Sequence, residues 1–190
     1  GIKGIEFGSG FKAAYMTGEQ LINYFLYTEA NTRRRIQYLS TLASIDSLGI
    51  YGPRDWLALL PEPLHSCYQG EISSTQALME LYQTSKVNLS INSLQGFSFV
   101  NPRLFDVPAA GGYLLAEYVP GLETYFNREN ELDWFYSDDD LVERIQAALR
   151  DDGERLAMIA RVQRNLAENH TFRHRAQHIL YLLQEEKENH

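Results

Sequence analysis

The sequence predicts an α/β fold with a doubly wound, mostly parallel sheet and a helix-rich C-terminus. Apolar runs that suit strands alternate with helical patterns up to about residue 136, and this alternation is typical of βαβ units. From Asp138 onward only helical patterns remain. The 190 residues suffice for one buried core and contain no linker, repeat or low-complexity segment, so we expect a single domain over residues 1–190.

The first half of the chain predicts three strands and three helices after a short initial strand. That initial strand contains Ile5 and Phe7 and ends in the glycine turn Gly8-Ser9-Gly10. Apolar residues at helical spacing mark the helices, and short apolar runs bounded by Gly, Pro or Ser mark the strands. The predicted helices are Gln20–Glu29, Thr32–Ile45 and Thr75–Tyr82, and the predicted strands are Leu48–Tyr51, Cys67–Gly70 and Val87–Asn92.

The second half predicts a short helix, two strands and three longer helices. Asn101 suits a helix cap and Pro102 the first helical position, so free backbone N–H groups should face the preceding loop. Gly111-Gly112 suits a tight turn after this helix. The later elements are a strand at Tyr113–Glu117, a turn at Pro120–Phe126, a strand near Trp134–Tyr136, and helices at Asp138–Arg150, Gly153–Asn169 and Thr171–Glu186.

Composition argues against several classes of function. The chain has 17 Lys and Arg against 25 Asp and Glu, a net charge of −8 with no basic tract, which argues against nucleic-acid binding. No apolar run approaches the roughly 18 residues of a membrane span, and the N-terminus lacks a signal-peptide pattern. The single cysteine, Cys67, fits a reducing compartment, so we expect a cytoplasmic protein.

Ligands of doubly wound sheets bind beyond the carboxyl ends of the strands, so the loops there are candidate sites. Gly8-Ser9-Gly10 would let the backbone approach a phosphate, with Lys12 adding charge, although an ordinary glycine turn explains the same residues. Gly70 and Glu71 follow a later strand. They would either hold a ligand or simply lead into a helix capped by Ser73 or Ser74.

Charged side chains near the Asn101 helix are further candidates. Arg103 would neutralise a diphosphate, or it would pair with Asp106 three positions later. Glu117 and Glu123 follow the next strand and would either contact sugar hydroxyls or remain solvated surface carboxylates.

These motifs resemble the donor-binding half of GT-B glycosyltransferases of the "glycosyl transferases group 1" type, above all the spore-maturation-protein-like subgroup. The segment Asn101–Gly112, followed by Tyr113–Tyr118, carries most of the resemblance. The resemblance covers roughly Ile50 to Leu180 and includes, in the family's order, Tyr51-Gly52-Pro53, Tyr68–Ile72, Val87–Asn92, Pro120–Glu123 with Phe126, and Glu168–Ala176.

The resemblance implies a Rossmann-like domain that binds a nucleotide-diphosphate sugar without a metal or other cofactor. Asp106, at a position where Glu is commoner, would bind the ribose hydroxyls. Gly70 and Glu71 would hold the base. Arg103, Lys12 and the helix end at Asn101 would neutralise the diphosphate, together with Gly8-Ser9-Gly10. An acceptor-binding half, expected upstream, would bind the saccharide or other hydroxyl acceptor and supply any general base.

Two other functions fit the same residues. One is a non-catalytic nucleotide-sugar-binding or interaction domain, since Ser98 stands where some relatives have the first Glu of a Glu-x7-Glu pair. The other is an NAD-binding oxidoreductase domain built on Gly8-x-Gly10-x-x-Ala13, although no acidic residue follows a second strand about 20 residues later.

Two patterns that mimic metal sites have structural explanations. Asp138-Asp139-Asp140 follows Ser137 and opens a helix, and Ser137 with Asp140 makes a capping box. His170, His174 and His178 recur every fourth residue without a Cys or acid to complete a coordination sphere. We therefore expect no metal, and we expect Phe172 to anchor the last helix to the body of the protein.

Overall fold

The computed structural model describes residues 6–7, 11–12, 17–94 and 100–188. Its strands are β1 (Glu6–Phe7), β2 (Phe11–Lys12), β3 (Ile50–Tyr51), β4 (Tyr68–Gly70), β5 (Asn88–Ser90), β6 (Leu114–Glu117) and β7 (Asp133–Phe135). Its α-helices are α1 (Gly18–Thr41), α2 (Asp55–Leu59), α3 (Thr75–Thr84), α4 (Arg103–Ala109), α5 (Asp138–Arg150), α6 (Asp152–Asn169) and α7 (Phe172–Glu188). Two 3-10 helices span Glu62–Cys67 and Leu122–Thr124.

The central sheet has three parallel strands in the order β5-β6-β7. Leu115 of β6 lies opposite Leu89 of β5, and Ala116 lies opposite Trp134 of β7. Every residue of β6 is buried, as is typical of a parallel strand covered by helices on both faces. A second parallel sheet pairs β3 with β4. The predicted α/β fold with parallel strands and a helical C-terminus is thus confirmed.

The N-terminal part differs from the prediction in two respects. β1 pairs with β2 as an antiparallel hairpin with Phe7 opposite Phe11, so the first strand does not join a parallel sheet. The helices predicted at Gln20–Glu29 and Thr32–Ile45 form one helix, α1. Neither Gly nor Pro separates the two segments, and the Glu29–Arg33 ion pair spans the predicted break.

Apolar residues on the two faces of the central sheet form two cores. Leu114 and Ala116 face the helices α3, α4 and α6, whereas Tyr113 and Leu115 face α1 and α5, because side chains alternate along a strand. A third, smaller core surrounds β3. The fully or nearly buried members are Tyr82, Leu104, Val107, Trp134 and Val162 on the first face, Tyr38, Leu42, Phe135, Leu141 and Ile145 on the second, and Ile50, Leu60 and Leu64 in the third core.

The predicted glycine turn joins α4 to β6. Gly111 has a φ of 93°, and the N–H groups of Gly111 and Gly112 bond to the carbonyls of Pro108 and Val107. This is the Schellman arrangement that ends many helices. Gly112 is required for a different reason, since a Cβ atom there would lie 2.5 Å from the Tyr82 carbonyl oxygen.

We expect Gly112→Ala to destabilise the protein by about 1–3 kcal/mol, because the added methyl group would push α3 away from the turn. The free energy of unfolding in urea measures this effect. Gly18→Ala is the matched control, since a Cβ at Gly18 would meet nothing within 4 Å and alanine favours the helix that begins there. Equal stability of the two variants would contradict the prediction.

Candidate functional site

The candidate site lies at the carboxyl ends of β5 and β6, which α1 crosses. Asn31, Arg34 and Tyr38 are three and four residues apart, so they share one face of α1. The side-chain amide of Asn31 donates to Ser93 Oγ at 3.2 Å and accepts from the Leu94 N–H at 2.7 Å. The middle of α1 therefore holds the loop that follows β5.

The strongest link between α1 and the sheet is the carboxylate of Glu117, the last residue of β6. Glu117 is only 8% exposed and accepts hydrogen bonds from Arg34, from the Tyr38 hydroxyl at 3.1 Å and from the Asn92 N–H at 2.9 Å. Arg34 also donates to the Asn92 carbonyl. Burial and then the Glu117 charge raise the pKa of Tyr38 to about 12.

This network corrects the prediction for Glu117. It is neither a solvated surface carboxylate nor free to contact a sugar, because Arg34, Tyr38 and Asn92 already use its oxygens. Glu123 is exposed, which is compatible with both of its predicted roles, a contact with sugar hydroxyls and a solvated surface carboxylate.

Two further guanidinium groups lie beside this network. Arg35 is half-buried, and Arg103 is exposed at the start of α4. Burial lowers the pKa of Arg35, and the nearby positive charges of Arg103 and Arg34 lower it further, while Glu117 opposes them. An arginine nevertheless stays protonated at neutral pH, so three positive charges meet at the carboxyl edge of the sheet.

Of these three charges only that of Arg34 is neutralised directly, through its ion pair with Glu117. Within the part of the chain that the structure describes, the side chains of Arg35 and Arg103 form neither an ion pair nor a hydrogen bond. We name Arg35 and Arg103 the cationic pair: neither has a direct ion-pair partner among the described residues, which suits an anionic group such as a diphosphate.

Arg34 and Arg35 were missed from the sequence. The apolar spacing of their segment predicts a helix but assigns no role to its arginines. The run Arg33-Arg34-Arg35 indicates a local positive charge, but the sequence does not show which of the three side chains faces the sheet. Only the position of α1 across β5 and β6 decides that.

The helix α4 begins where Asn101 and Pro102 predicted it. The side-chain oxygen of Asn101 accepts the Arg103 N–H at 3.0 Å, which confirms Asn101 as the cap. However, the N–H groups of Leu104 and Phe105 also have backbone partners, at 2.9 Å each. The prediction of free N–H groups at this helix end is therefore wrong, and an anion here would have to be bound by side chains.

Arg103 and Asp106 are both exposed and share one face of α4. The structure shows no ion pair between these two residues, so the alternative role of Arg103 as the partner of Asp106 is not supported. Asp106 thus presents its carboxylate to the same side as the cationic pair.

The remaining predicted residues lie elsewhere or cannot be placed. Gly70, with a φ of 91°, ends β4, and its carbonyl accepts the Gly52 N–H at 2.9 Å, which ties this turn to the loop after β3. Glu71 is exposed, and Ser74 caps α3 as predicted. Gly70 ends a strand of the β3-β4 sheet, whereas Arg103 and Asp106 lie on the helix α4, which packs on the central sheet. Gly8-Ser9-Gly10 and Ser98 lie outside the described residues, as does the side chain of Lys12.

The acidic run Asp138–Asp140 forms the first turn of α5, and Ser137 caps this helix as predicted. The predicted capping box is incomplete, because the Asp140 carboxylate bonds to the Tyr136 N–H and not to the Ser137 N–H. Ser137 Oγ accepts the Asp140 N–H at 3.3 Å, and Asp140 accepts the Tyr136 N–H at 2.9 Å. Arg144 Nε lies 2.7 Å from Asp140. Among the described residues, no three His, Cys, Asp or Glu side chains are grouped so that they would hold a metal ion.

The predicted anchor of the last helix is wrong. Phe172 is 95% exposed. Instead the ring of His170 packs against the rings of Phe105 and Tyr125, with the ring centres 5.7 Å apart in both pairs. Burial, and next the Arg175 charge, lower the pKa of His170, which favours the neutral form in this contact.

Residues 30–181 match a family model described as glycosyl transferase-like. The chain belongs to this glycosyl transferase-like family. The match begins just before Asn31 and includes Arg34, Arg35, Arg103 and Glu117, so the whole network at the carboxyl edge lies within it.

Other comparisons add little to this assignment. Gly8 to Lys12 lie outside the region that matches the family. No curated protein matches the sequence. Among the described residues, no helix combines the length and the apolar character needed to cross a membrane.

We expect Glu117→Gln to lower the free energy of unfolding by about 2–4 kcal/mol, because it leaves the Arg34 charge without its anion in a largely buried place. Urea denaturation measures the loss. Glu29→Gln breaks the exposed ion pair with Arg33 and should cost less than about 1 kcal/mol. If Glu117→Gln were no more destabilising than this control, the network would not hold α1 in place.

Proposed function

We propose that residues 1–190 form the donor-binding domain of a metal-independent GT-B glycosyltransferase. This domain binds a nucleotide-diphosphate sugar, and the enzyme transfers the sugar to an acceptor hydroxyl. The observation that carries the proposal is the cationic pair Arg35 and Arg103 beside the ends of parallel strands, inside the region that matches a glycosyl transferase-like family. Ligands of such sheets bind at this edge.

The cationic pair suits the chemistry of sugar transfer. The bond between the anomeric carbon and the diphosphate oxygen breaks, and that oxygen keeps the electron pair. A new bond forms to the acceptor oxygen, whose proton passes to a general base or to the leaving diphosphate. Negative charge therefore grows on the leaving diphosphate while positive charge develops at the anomeric carbon. Arg35 and Arg103 stabilise the leaving group, because charges fixed in place before the reaction need no rearrangement during it.

Asp106 is the proposed ligand of the ribose. It lies one helical turn from Arg103 on the same face, so a nucleoside diphosphate can contact both residues. An ionised carboxylate accepts hydrogen bonds from two neighbouring hydroxyls. Gly70 and Glu71 remain proposed contacts of the base, and Gly8-Ser9-Gly10 with Lys12 remain proposed contacts of the phosphates. An acceptor-binding domain supplies the hydroxyl acceptor and any general base.

A dinucleotide-binding oxidoreductase fits the structure less well. The fingerprint Gly8-x-Gly10 requires a helix after the strand, whereas the structure has a second strand, β2, which pairs antiparallel with β1. A non-catalytic nucleotide-sugar-binding domain would use the same residues and differs only in lacking transfer.

Titration of the protein with UDP, GDP, ADP and NAD by calorimetry tests the proposal. We expect saturable binding of one nucleoside diphosphate and no binding of NAD. Asp106→Ala should weaken that binding about tenfold, because it removes hydrogen bonds between a charged group and the ribose. Preference for NAD would contradict the proposal, and tight binding without sugar transfer would favour the non-catalytic domain.

Substitution of the arginines tests the phosphate site separately. Arg35→Gln and Arg103→Gln should each weaken the binding of the preferred nucleoside diphosphate at least about tenfold, since each removes a charge-assisted contact. Arg33→Gln is the matched control, because this side chain is exposed and pairs only with Glu29 among the described residues. Equal losses in all three variants would indicate a nonspecific charge effect.

A further inference from the structure

The face of α4 that carries Arg103 and Asp106 is supported from another side by aromatic rings. Phe105 lies between these two residues in sequence and therefore points away from their shared face. The centre of its ring lies 5.3 Å from that of Phe126 and 5.9 Å from that of Tyr125. We name Phe105, Tyr125, Phe126 and His170 the aromatic cluster.

Arg175, in the first turn of α7, packs its guanidinium group against two rings of this aromatic cluster. Its guanidinium carbon lies 5.6 Å from the ring centre of Phe105 and 5.5 Å from that of Tyr125. One of its nitrogens lies 3.5 Å from Nδ1 of His170. The ring centre of His170 also lies 5.7 Å from those of Phe105 and Tyr125. Arg175 and the aromatic cluster therefore form one connected contact between α4 and the junction of α6 and α7.

The contact matters because α4 is short. It has seven residues, and its N–H groups have only local partners at the N-terminal end. Leu104, Val107 and Pro108 fix one side of the helix in the core, and Phe105 packs beside them against the aromatic cluster. Phe105 resists rotation of α4 about its own axis, because its ring is held by the aromatic cluster. Contacts that hold Phe105 therefore also set the direction in which Arg103 and Asp106 point.

We propose that Arg175 is a positioning residue of the donor site: by holding Phe105 against the aromatic cluster, it fixes the direction in which Arg103 and Asp106 face a nucleoside diphosphate. The inference rests on the proposed function, because it concerns the same site. It gives α7 a role in donor binding although the helix contributes no ligand contact.

The test compares Arg175→Gln with Arg173→Gln and Arg175→Lys. Arg173 lies in the same turn of α7 and has no ion pair, hydrogen bond or ring contact among the described residues, so its variant is the matched control. Two quantities are measured for each variant: the dissociation constant for UDP, GDP and ADP, and the NMR signal of the Arg103 Nε–H group, assigned through its loss in Arg103→Gln.

Arg175→Gln should shift or broaden the Arg103 signal and weaken nucleoside-diphosphate binding about three- to fivefold, the effect of one exposed cation–π contact. Arg175→Lys should leave the Arg103 signal and the affinity for the nucleoside diphosphate closer to those of the wild type, since lysine keeps a cation over the rings. Arg173→Gln should change neither. A loss of unfolding free energy without a change in the Arg103 signal would show a merely structural role and overturn the inference.

The two proposals fail in different ways. If the wild-type protein binds none of the nucleotides but Arg175→Gln alters the Arg103 signal, the proposed function fails while the coupling of Arg175 to Arg103 stands. If the wild type binds one of them and Arg175→Gln changes neither quantity, the proposed function stands and this inference is wrong.

Discussion

The arrangement of the candidate site depends on one buried carboxylate. Glu117 ends the central strand, and taking its charge out of water would cost several kcal/mol without compensation. Arg34, Tyr38 and the Asn92 N–H provide that compensation, and two of these three donors come from α1. The helix must therefore cross the carboxyl edge of the sheet, and it carries Arg35 there as well. Glu117 forms its ion pair with Arg34 and not with Arg35, so the Arg35 guanidinium can still pair with an anionic ligand. A structural ion pair thus places beside it a second arginine that has no ion-pair partner of its own among the described residues.

The parts of this fold that the sequence predicts well are those specified by local contacts. The helix α5 begins and ends where the cap at Ser137 and the apolar spacing placed it, and the turn at Gly111-Gly112 follows from backbone geometry alone. The role of Glu117 could not be predicted in this way, since its partner Arg34 lies 83 positions earlier in the chain. The same holds for Phe172, which looks like an anchor by its chemistry although the structure leaves it exposed. Tertiary packing decides which apolar or charged side chain contacts a partner, and the periodicity of the sequence does not predict it.

The N-terminal end of α4 shows that a correctly predicted helix can still lead to a wrong prediction of which groups would bind a ligand. Asn101 caps the helix as predicted, and by doing so it takes up the N–H of Arg103 that the prediction assigned to a ligand. A well-capped helix end has less to offer an anion, because the donors that would face it are already bonded. The site therefore shifts from backbone groups to the side chains of Arg35, Arg103 and Asp106. That shift makes the site sensitive to the rotation of a seven-residue helix, and hence to Phe105.

The net charge of −8 and the cationic pair act at different ranges. Between exposed groups, charge is screened over about 8 Å at physiological ionic strength, so a long polyanion meets mainly the average, negative surface. A small anion that reaches the carboxyl edge meets Arg35 in a half-buried place, where screening by solvent is weaker. The protein would thus discriminate by size as well as by charge. The proposed diphosphate ligand carries its charge over a short length, whereas a nucleic acid would have to bring further phosphates against Asp and Glu side chains.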